Sequence, residues 1–379
     1  MNDIIIIKTV SSRKELKEFI SVPNILYADD KHYRSPLVIE RLKHLDPNKN
    51  PYFQHAEHCY FIAYRAGKAV GRISAQIDQH AQISGEPKLG HFGLLAAQDG
   101  DVLAMLFHHV ETWHAQRGVT QITGPYSLSI NDEAGLLVEG FDTPPYMMMN
   151  YALPWMNNKL ESVGLTKAKD LIAFHMDIEK ELPALAQRLE EKIKVQSEIV
   201  LRNLNKADID NDLKIILDIF NQAWAQNWGF VKMNEQEIQY NAKNLKQLIN
   251  PNLVHIAEIN NTPVAMIVAL PDLNDNIKNL GGRLLPFGWC KLLWNLNVKG
   301  TDRARILLMG IKPEYLNKFL SSHIALKLME AIHKSLKQEH YKQAEFSWIL
   351  EDNISMIKLI EMSGAQPYKR YRIYQKQLT

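Results

Sequence analysis

The segment FIAYRAGKAVGRISAQI, Phe61–Ile77, has the pattern of two apolar strands joined by a tight turn at Ala66 and Gly67. A second segment, HIAEINNTPVAMIVAL at His255–Leu270, has the same pattern. Three apolar positions recur at one constant offset: Ile62, Ala63 and Val70 align with Ile256, Ala257 and Val264. Such self-similarity indicates a duplicated structural unit, so we expect the chain to contain the same hairpin twice.

The similarity continues after each hairpin. A predicted helix and the strand that follows it, Val102–Arg117 and Thr120–Asn131, align with Ile324–Glu339 and Lys342–Asn353. A last helix in each half ends at a glycine, where a helix C-cap is expected. Each half is therefore predicted to run strand, helices, hairpin, strand, helix, strand, helix, strand. This alternation of helices and strands indicates an α/β fold with a mixed sheet.

The boundary between the halves is predicted near residue 197. Pro183 suits the start of a helix, and apolar residues around and after it recur at helical spacing: Leu182, Leu185, Leu189 and Ile193. We interpret 181–197 as a packed helical linker. The predicted domains are then residues 1–180 and 198–379.

Composition excludes several classes of protein. The chain has 379 residues, of which 46% are hydrophobic and 23% charged, with 18 Gly and 16 Pro, and this is typical of globular domains rather than disordered or collagen-like chains. The formal net charge is only +2, which disfavours a protein that binds a phosphate backbone. We therefore expect no nucleic-acid partner.

The cysteines and the N-terminus favour a cytoplasmic location. Cys59 and Cys290 lie far apart without CxxC spacing, so neither a disulfide framework nor a thiolate metal site is indicated. His108, His109 and His114 lack metal-binding spacing, and no metal site is expected. The N-terminal stretch MNDIIIIKTV carries an early acid and too short an apolar run for a signal peptide.

The segment ILEDNISMIKLIEMSGA, Ile349–Ala365, resembles the part of GNAT acyltransferases in which an Asn opens a helix and a Gly precedes the final strand. More specifically, the sequence resembles the YghO-like family of tandem GNAT proteins, also called bacterial-ceramide-synthase-like. The matching segments run nearly end to end: NPYFQHAEH at 50–58, GRISAQID at 71–78, GPYSLSINDEAGLLVEGFDTPP at 124–145, NQAWAQNWGF at 221–230, LPDLN at 270–274 and YKRYRIYQK at 368–376.

The resemblance implies two tandem GNAT-like domains. It also implies transfer of an acyl group from an acyl-CoA, acetyl-CoA or acyl-carrier thioester to an amine, with a long-chain lipid amine as one candidate acceptor. The expected partners are thus a small-molecule acyl donor and an amine acceptor. The alternative function is a catalytically silent GNAT-like protein that binds a lipid or a protein partner.

One motif departs from the family pattern. GNAT enzymes usually hold the CoA pyrophosphate on a loop of the form Arg/Gln-x-x-Gly-x-Gly/Ala at a helix N-terminus, and Leu316, Phe319 and Ser321 replace its arginine and glycines. A side chain at a glycine position obstructs close approach of an anion to the backbone. Four residues remain as candidate cofactor-binding groups: Lys318, Ser321, Ser322 and Asn353.

Amide formation needs a base, because an alkyl amine with a pKa of about 10 is mostly protonated at pH 7. The candidate bases are Asp132, Glu133 and Glu351. Helix capping is the alternative role of the acids beside Asn131 and Asn353. Tyr126 is a candidate donor to the departing thiolate, and the alternative for it is a buried aromatic residue.

Candidate substrate-binding residues lie in two segments: Trp224, Asn227 and Trp228 follow a predicted helix, and Asp272 and Asn274 follow a predicted strand. A buried aromatic anchor is the alternative for the first group. The insertion at about 274–303 is unusually apolar, with Arg283 and Lys291 at its edges. It is expected either to cover an acyl chain, to rest on a membrane surface, or to pack as a helix on the body of the protein.

Overall fold

The computed structural model divides the chain into two compact units. It describes residues 4–183, 199–246, 248–295, 300–316 and 318–378. Unit 1 contains Met1–Leu171, Asn274–Gly300 and Lys369–Thr379, and unit 2 contains Ile172–Leu273 and Thr301–Tyr368. None of the described helices is long and apolar enough to cross a membrane.

Unit 1 is a mixed sheet with helices. Its strands are β1 (Ile5–Thr9), β2 (Ala56–Arg65), β3 (Lys68–Asp78), β4 (Leu89–Ala97), β5 (Gln121–Tyr126) and β6 (Leu136–Glu139). Its helices are α1 (Arg13–Leu26), α2 (Val38–His44), α3 (Gly100–Ala115) and α4 (Trp155–Ser162). The sheet order is β1-β2-β3-β4-β5, and only β4 and β5 are parallel among these neighbours.

Unit 2 repeats this arrangement. Its strands are β8 (Ile199–Asn203), β9 (Val254–Ile259), β10 (Thr262–Pro271), β11 (Arg303–Ile311) and β12 (Gln343–Leu350). Its helices are α5 (Ile209–Ala223), α6 (Glu235–Leu245), α9 (Lys318–Gln338) and α10 (Ile354–Met362), while α7 (Asn274–Ile277) and α8 (Gly288–Trp294) belong to unit 1. The order is β12-β11-β10-β9-β8, and β11 and β12 are parallel.

Each half of the sequence gives part of its last strand to the other unit. Strand β7 (Thr166–Asp177) enters unit 2 from Ile172 onward, where β12 is its neighbour. Strand β13 (Gln366–Gln377) enters unit 1 from Lys369 onward, where it pairs antiparallel with β5 and β6. The duplication in the sequence and the compact units therefore differ by these exchanged strands and by the 274–300 insertion.

The two hairpins that define the repeat have matching geometry. Ala63 pairs with Gly71 in the first hairpin, and Ala257 pairs with Ala265 in the second. In each turn both central residues have positive φ, as in the two-residue turns that fit strand twist: Ala66 and Gly67, Asn260 and Asn261. The predicted α/β fold with a mixed sheet and its duplicated hairpin are confirmed.

Local sequence signals explain where helix α1 begins and which face it buries. Ser12 and Glu15 form a reciprocal capping box at its N-terminus. Its apolar residues Phe19, Ile20 and Val22 are buried in a core cluster with side chains of β2. This packing holds α1 against one face of the unit 1 sheet.

Three predictions about helices have different outcomes. Of the predicted helical linker, residues 184–197 lie outside the described residues, and Leu182 packs against the core of unit 2. No helix begins at Asn131, so the capping alternative for Asn131 and Asp132 is wrong: the segment folds as a turn that returns the chain toward β6. Asn353 does cap α10, and its side chain accepts a hydrogen bond from the Met356 amide at 3.2 Å.

Candidate functional site

In unit 2 the parallel strands β11 and β12 separate partway along their length. Their register begins at Arg303 and Gln343 and ends at Ile306 and Phe346, although both strands continue beyond these pairs. We call the gap beyond the last pair the wedge. A gap between parallel strands exposes backbone groups that an extended ligand can reach.

A β-bulge lies where the wedge opens. Val268 on β10 pairs with Leu308, but the next residue, Ala269, pairs with Ile306. The register shift leaves Leu307 outside the ladder between β10 and β11. Bulges often lie beside active sites, because they interrupt strand pairing and redirect one residue. The Leu307 backbone amide is therefore the candidate donor to a developing oxyanion.

Beyond the wedge, β11 leads into a helix N-terminus. The chain passes through a short 3-10 turn at Pro313–Tyr315 and enters α9 at Lys318. The first turn of a helix carries partial positive charge and favours anions. Ser321 and Ser322 lie in this part of α9, and the Phe319 side chain is 74% exposed. The predicted donor-binding residues thus follow the strand that borders the wedge.

The predicted aromatic substrate residue Trp224 packs directly on β11. A Cβ atom added to Gly310 would lie 2.4 Å from the Trp224 ring, so only a glycine permits this contact. Trp224 stacks on Phe220, with 4.9 Å between the ring centroids. The amide of Asn227 donates to the Trp224 carbonyl at 2.8 Å in the turn after α5. Trp224, Asn227 and Trp228 are half-buried beside the strand of the wedge.

A buried polar network, which sequence reasoning missed, joins the paired part of β11 and β12. Arg305 donates from Nε to the Ser347 Oγ at 2.8 Å and from Nη2 to the Ser347 carbonyl at 3.0 Å. The Ser347 and Tyr368 hydroxyls both contact the Glu345 carboxylate. A charged residue at matching positions of two apolar strands, Arg305 and Glu345, was the available signal. The network fixes the strands where the wedge begins.

In unit 1 the corresponding strands are paired up to Gly93 and Tyr126, and β4 continues to Ala97. A bulge lies here too, because Arg72 pairs with Ala96 and Ser74 pairs with Gly93. Gly93 on β4 pairs with Tyr126 at the end of β5, and a Cβ on Gly93 would lie 1.5 Å from the Tyr126 carbonyl oxygen. The N-terminus of α3 is capped by the carboxylate of Asp99, which is also paired with Arg65 at 2.6 Å. A negative side chain at this helix end disfavours a phosphate. Unit 1 thus differs from unit 2 in the close backbone contact at Gly93 and in the capped helix end, and not in the bulge.

Glu133, the first predicted base, is held in unit 1 by an arginine. Its carboxylate pairs with the Arg41 guanidinium and accepts a hydrogen bond from the Ser127 hydroxyl at 2.7 Å. Burial pushes the pKa of Glu133 upward, but the charge and hydrogen bond of Arg41, with the Ser127 hydrogen bond, outweigh it, so the pKa lies below its ordinary value. A carboxylate with a lowered pKa is a weak proton acceptor.

Asp132 and Tyr126 both precede Glu133 in the chain. Asp132 accepts hydrogen bonds from the backbone amide and the hydroxyl of Ser129, both at 3.2 Å. Burial raises the pKa of the Tyr126 phenol, and the Thr123 hydrogen bond opposes this only in part. The ring of Tyr126 is buried against His91, with centroids 5.2 Å apart. Their catalytic roles stay predictions.

The remaining predicted site residues do not all belong to the same unit. Asp272 is buried in unit 2 and pairs with Arg303 at 3.2 Å, whereas Asn274 in unit 1 donates to the Pro145 carbonyl at 2.9 Å. Glu351 is half-buried at the end of β12, close in sequence to the cap residue Asn353. Of Lys318 only the backbone position is described, at the first residue of α9.

A second cluster that sequence reasoning missed lies in unit 1. The rings of Tyr27, Tyr33 and Tyr151 contact one another, with centroid distances of 5.3 to 5.4 Å. Burial lowers the pKa of the nearby Arg72 to about 10, and its guanidinium lies 4.9 Å from the Phe19 ring centroid. The segment YADDKHYRSP at 27–36, rich in aromatic and charged residues, was the signal.

His55 and His80 form a further polar group in unit 1. Their rings stack with centroids 3.7 Å apart, and His55 Nδ1 lies 2.8 Å from the Asp78 carboxylate. The expectation that the chain holds no metal stays a prediction.

The repeated units, the wedge and the bulge define a tandem GNAT-fold protein. A solved structure described as a tandem GNAT protein from the clavulanic acid biosynthesis pathway matches with a TM-score of 0.57 at 11% identity, covering 99% of each chain. No protein-family model matches the chain.

Two relatives are much more similar to the chain in sequence than this solved structure is. The chain is 42% identical to Protein YghO of Escherichia coli over 98% of this chain and 95% of that protein. It is also 42% identical to the bacterial ceramide synthase of Caulobacter vibrioides, over 97% of this chain and 96% of that protein. The chain belongs to the YghO-like, or bacterial-ceramide-synthase-like, family of tandem GNAT-fold acyltransferases.

Proposed function

We propose that the protein is an N-acyltransferase that moves an acyl group from an acyl-CoA or acyl-carrier thioester to an amine. The observation that carries this proposal is the bulge at Leu307, at the point where β11 leaves β12. It supports a place for a pantetheine arm in the wedge, and the N-terminus of α9 beyond the same strand supports a place for phosphate groups.

The reaction needs an oxyanion donor, a base and a proton donor around the thioester carbonyl. The lone pair of a neutral amine attacks the carbonyl carbon, and the oxygen becomes an oxyanion that a backbone amide stabilises. The C–S bond then breaks, and the thiolate leaves with the bonding electron pair. The amine loses one proton to a base, and the thiolate gains one, so the products are an amide and a thiol.

We assign these roles within unit 2. The Leu307 amide is the oxyanion donor, and Lys318, Ser321 and Ser322 lie at the helix end that would receive the CoA phosphates. Trp224, Asn227 and Trp228 would contact the acceptor, because Trp224 lies on β11 beside the wedge. Glu351, at the end of β12, is the proposed base in preference to Glu133, which Arg41 already neutralises.

The acceptor is proposed to be a long-chain lipid amine. The Caulobacter relative is named as a ceramide synthase, and it resembles this chain over nearly the full length of both. Aromatic side chains such as Trp224 and Trp228 suit an apolar chain. A cytoplasmic location agrees with this proposal, because acyl-CoA thioesters are cytoplasmic metabolites.

Two measurements test the proposal. Calorimetric titration with acetyl-CoA and with palmitoyl-CoA should detect binding of at least one donor, and mass spectrometry should detect the N-acyl product when sphinganine is added. Glu351→Gln should lower kcat at least tenfold with little change in donor affinity, whereas Glu133→Gln should have a smaller effect on kcat. Absence of both donor binding and product would refute the acyltransferase proposal.

A second candidate function is a catalytically silent protein that binds a lipid or a protein partner. It is favoured by one observation, namely that Leu316, Phe319 and Ser321 stand where the family loop has arginine and glycines. Acyl transfer that is lost in Glu351→Gln would exclude it.

A further inference from the structure

The insertion in unit 1 carries a cluster of exposed apolar side chains. Five large residues within one short stretch are each 49% to 80% exposed: Leu285, Phe287, Trp289, Leu293 and Trp294. Most lie on or beside the short helix α8. We call these five residues the apolar tip. The alternative of a helix packed on the body of the protein does not hold for them.

The base of the insertion is built from buried contacts. Asn276 and Asn295 exchange two hydrogen bonds, with the Asn276 amide donating at 3.1 Å and the Asn295 amide donating at 2.7 Å. Asp275 pairs with Arg34 at 2.9 Å, and the Gly282 carbonyl accepts the Val38 amide at 2.9 Å. The apolar tip is therefore held outward by an ordered base within unit 1.

The charged residues in the segment that carries the apolar tip are all basic. Residues 276–295 contain three basic residues and no Asp or Glu, and all three are exposed: Lys278, Arg283 and Lys291. The rest of the chain is nearly balanced, with 41 basic and 42 acidic residues. An exposed apolar cluster of this kind marks an interaction surface. A basic margin around it complements a surface with negative charge.

We propose that the apolar tip inserts into the surface of a bilayer that contains anionic phospholipids. Trp, Phe and Leu side chains lie at the level of the headgroups and upper acyl chains, and Lys and Arg side chains contact the phosphates. The lack of acidic residues in 276–295 favours a bilayer over a protein partner of mixed charge. The inference goes beyond the acyl-transfer proposal and does not require it.

Flotation with phospholipid vesicles tests the inference. The full-length protein should float with vesicles of phosphatidylcholine and phosphatidylglycerol, and much less with phosphatidylcholine alone. The double variant Trp289→Ser/Trp294→Ser should lower the partition coefficient by about tenfold or more, because two large apolar side chains no longer insert. Arg283→Gln/Lys291→Gln should lower binding to the anionic vesicles by about tenfold.

Ile83→Ser and Val200→Ser are matched controls, since both residues are exposed apolar side chains outside the insertion. Their partition coefficients should equal that of the wild type, and thermal melting should show that every variant is folded. The inference is overturned if the wild type does not bind anionic vesicles, if the controls lose binding equally, or if gel filtration shows that the tryptophans instead hold two copies together. No substrate is present, so the result does not depend on acyl transfer.

Discussion

Glu133 illustrates how the surroundings of a residue change its expected role. From sequence alone it is a candidate base, because an acid next to another acid at a strand end suits proton transfer. In unit 1 it is instead buried with Arg41 and Ser127. A carboxylate in such a pair remains ionised at neutral pH, so the pair is better suited to hold α2 against the turn after β5.

Removal of Arg41 should destabilise unit 1. In Arg41→Ala the Glu133 carboxylate keeps its burial but loses its counter-charge, and we expect a loss of about 3 kcal/mol in the free energy of unfolding. Urea denaturation measures this value. The double variant Arg41→Ala/Glu133→Gln should recover part of the loss. An equal loss in the double variant would contradict the ion-pair explanation.

His91 should make stability depend on pH. Burial lowers its pKa to about 4, compared with an ordinary value of 6.5. Between these values the unfolded chain binds a proton that the folded chain does not, so stability should fall as the pH falls from 6.5 to 4. The full effect is about 3 kcal/mol.

The measurement is urea denaturation at a series of pH values. His91→Gln should flatten the slope over this range, and His108→Gln, at an exposed position of α3, should leave it unchanged. An unaltered slope in His91→Gln would show that other groups cause the dependence.

At the scale of elements, the difference between the two units lies in one strand pair. β4 and β5 remain paired up to Gly93 and Tyr126, whereas β11 and β12 separate beyond Ile306 and Phe346. The close contact between β4 and β5 depends on glycine, because a side chain at Gly93 would collide with the Tyr126 backbone. The helix ends differ as well, since Asp99 caps α3.

A negative charge at the N-terminus of α9 should weaken donor binding without destabilising the helix. Ser321→Asp places a carboxylate in the first turn, which should stabilise the helix by about 0.5 kcal/mol or leave it unchanged. The same charge should repel the CoA phosphates and weaken acyl-CoA binding about tenfold or more.

Ser355→Asp is the matched control, because Ser355 is exposed in the first turn of α10. Calorimetric titration should give wild-type affinity for this control. If both variants bound the donor equally well, the phosphates would not lie at the start of α9.

At the scale of the whole molecule, the exchanged strands join distant parts of the sequence in one unit. Tyr371 belongs to the second half of the chain but is fully buried in unit 1, where its strand pairs with Leu137 of β6. Lys369, which is also buried, donates to the carbonyl of Thr143 at 2.8 Å. The folding of unit 1 therefore depends on the last residues of the chain.

Tyr371→Ala tests this dependence. Truncation of a fully buried aromatic side chain should cost about 3 to 5 kcal/mol. Hydrogen exchange followed by mass spectrometry should show faster exchange in β5 and β6, although the substitution lies in the second half of the sequence. The hairpin of β9 and β10 should keep its protection. Loss of protection confined to that hairpin would contradict the assignment of the strand to unit 1.

The fold class and the repeat could be read from Phe61–Ile77 and His255–Leu270, because apolar alternation and turn residues are local properties of a chain. The helix at Ile324–Glu339 was predicted for the same reason, although α9 begins earlier, at Lys318. Four features could not be read from the sequence: the ion pair of Arg41 with Glu133, the network of Arg305, the contact of Gly93 with Tyr126 and the exchanged strands β7 and β13. They depend on which distant segments meet and on the space that each side chain finds there, and only the folded chain decides both.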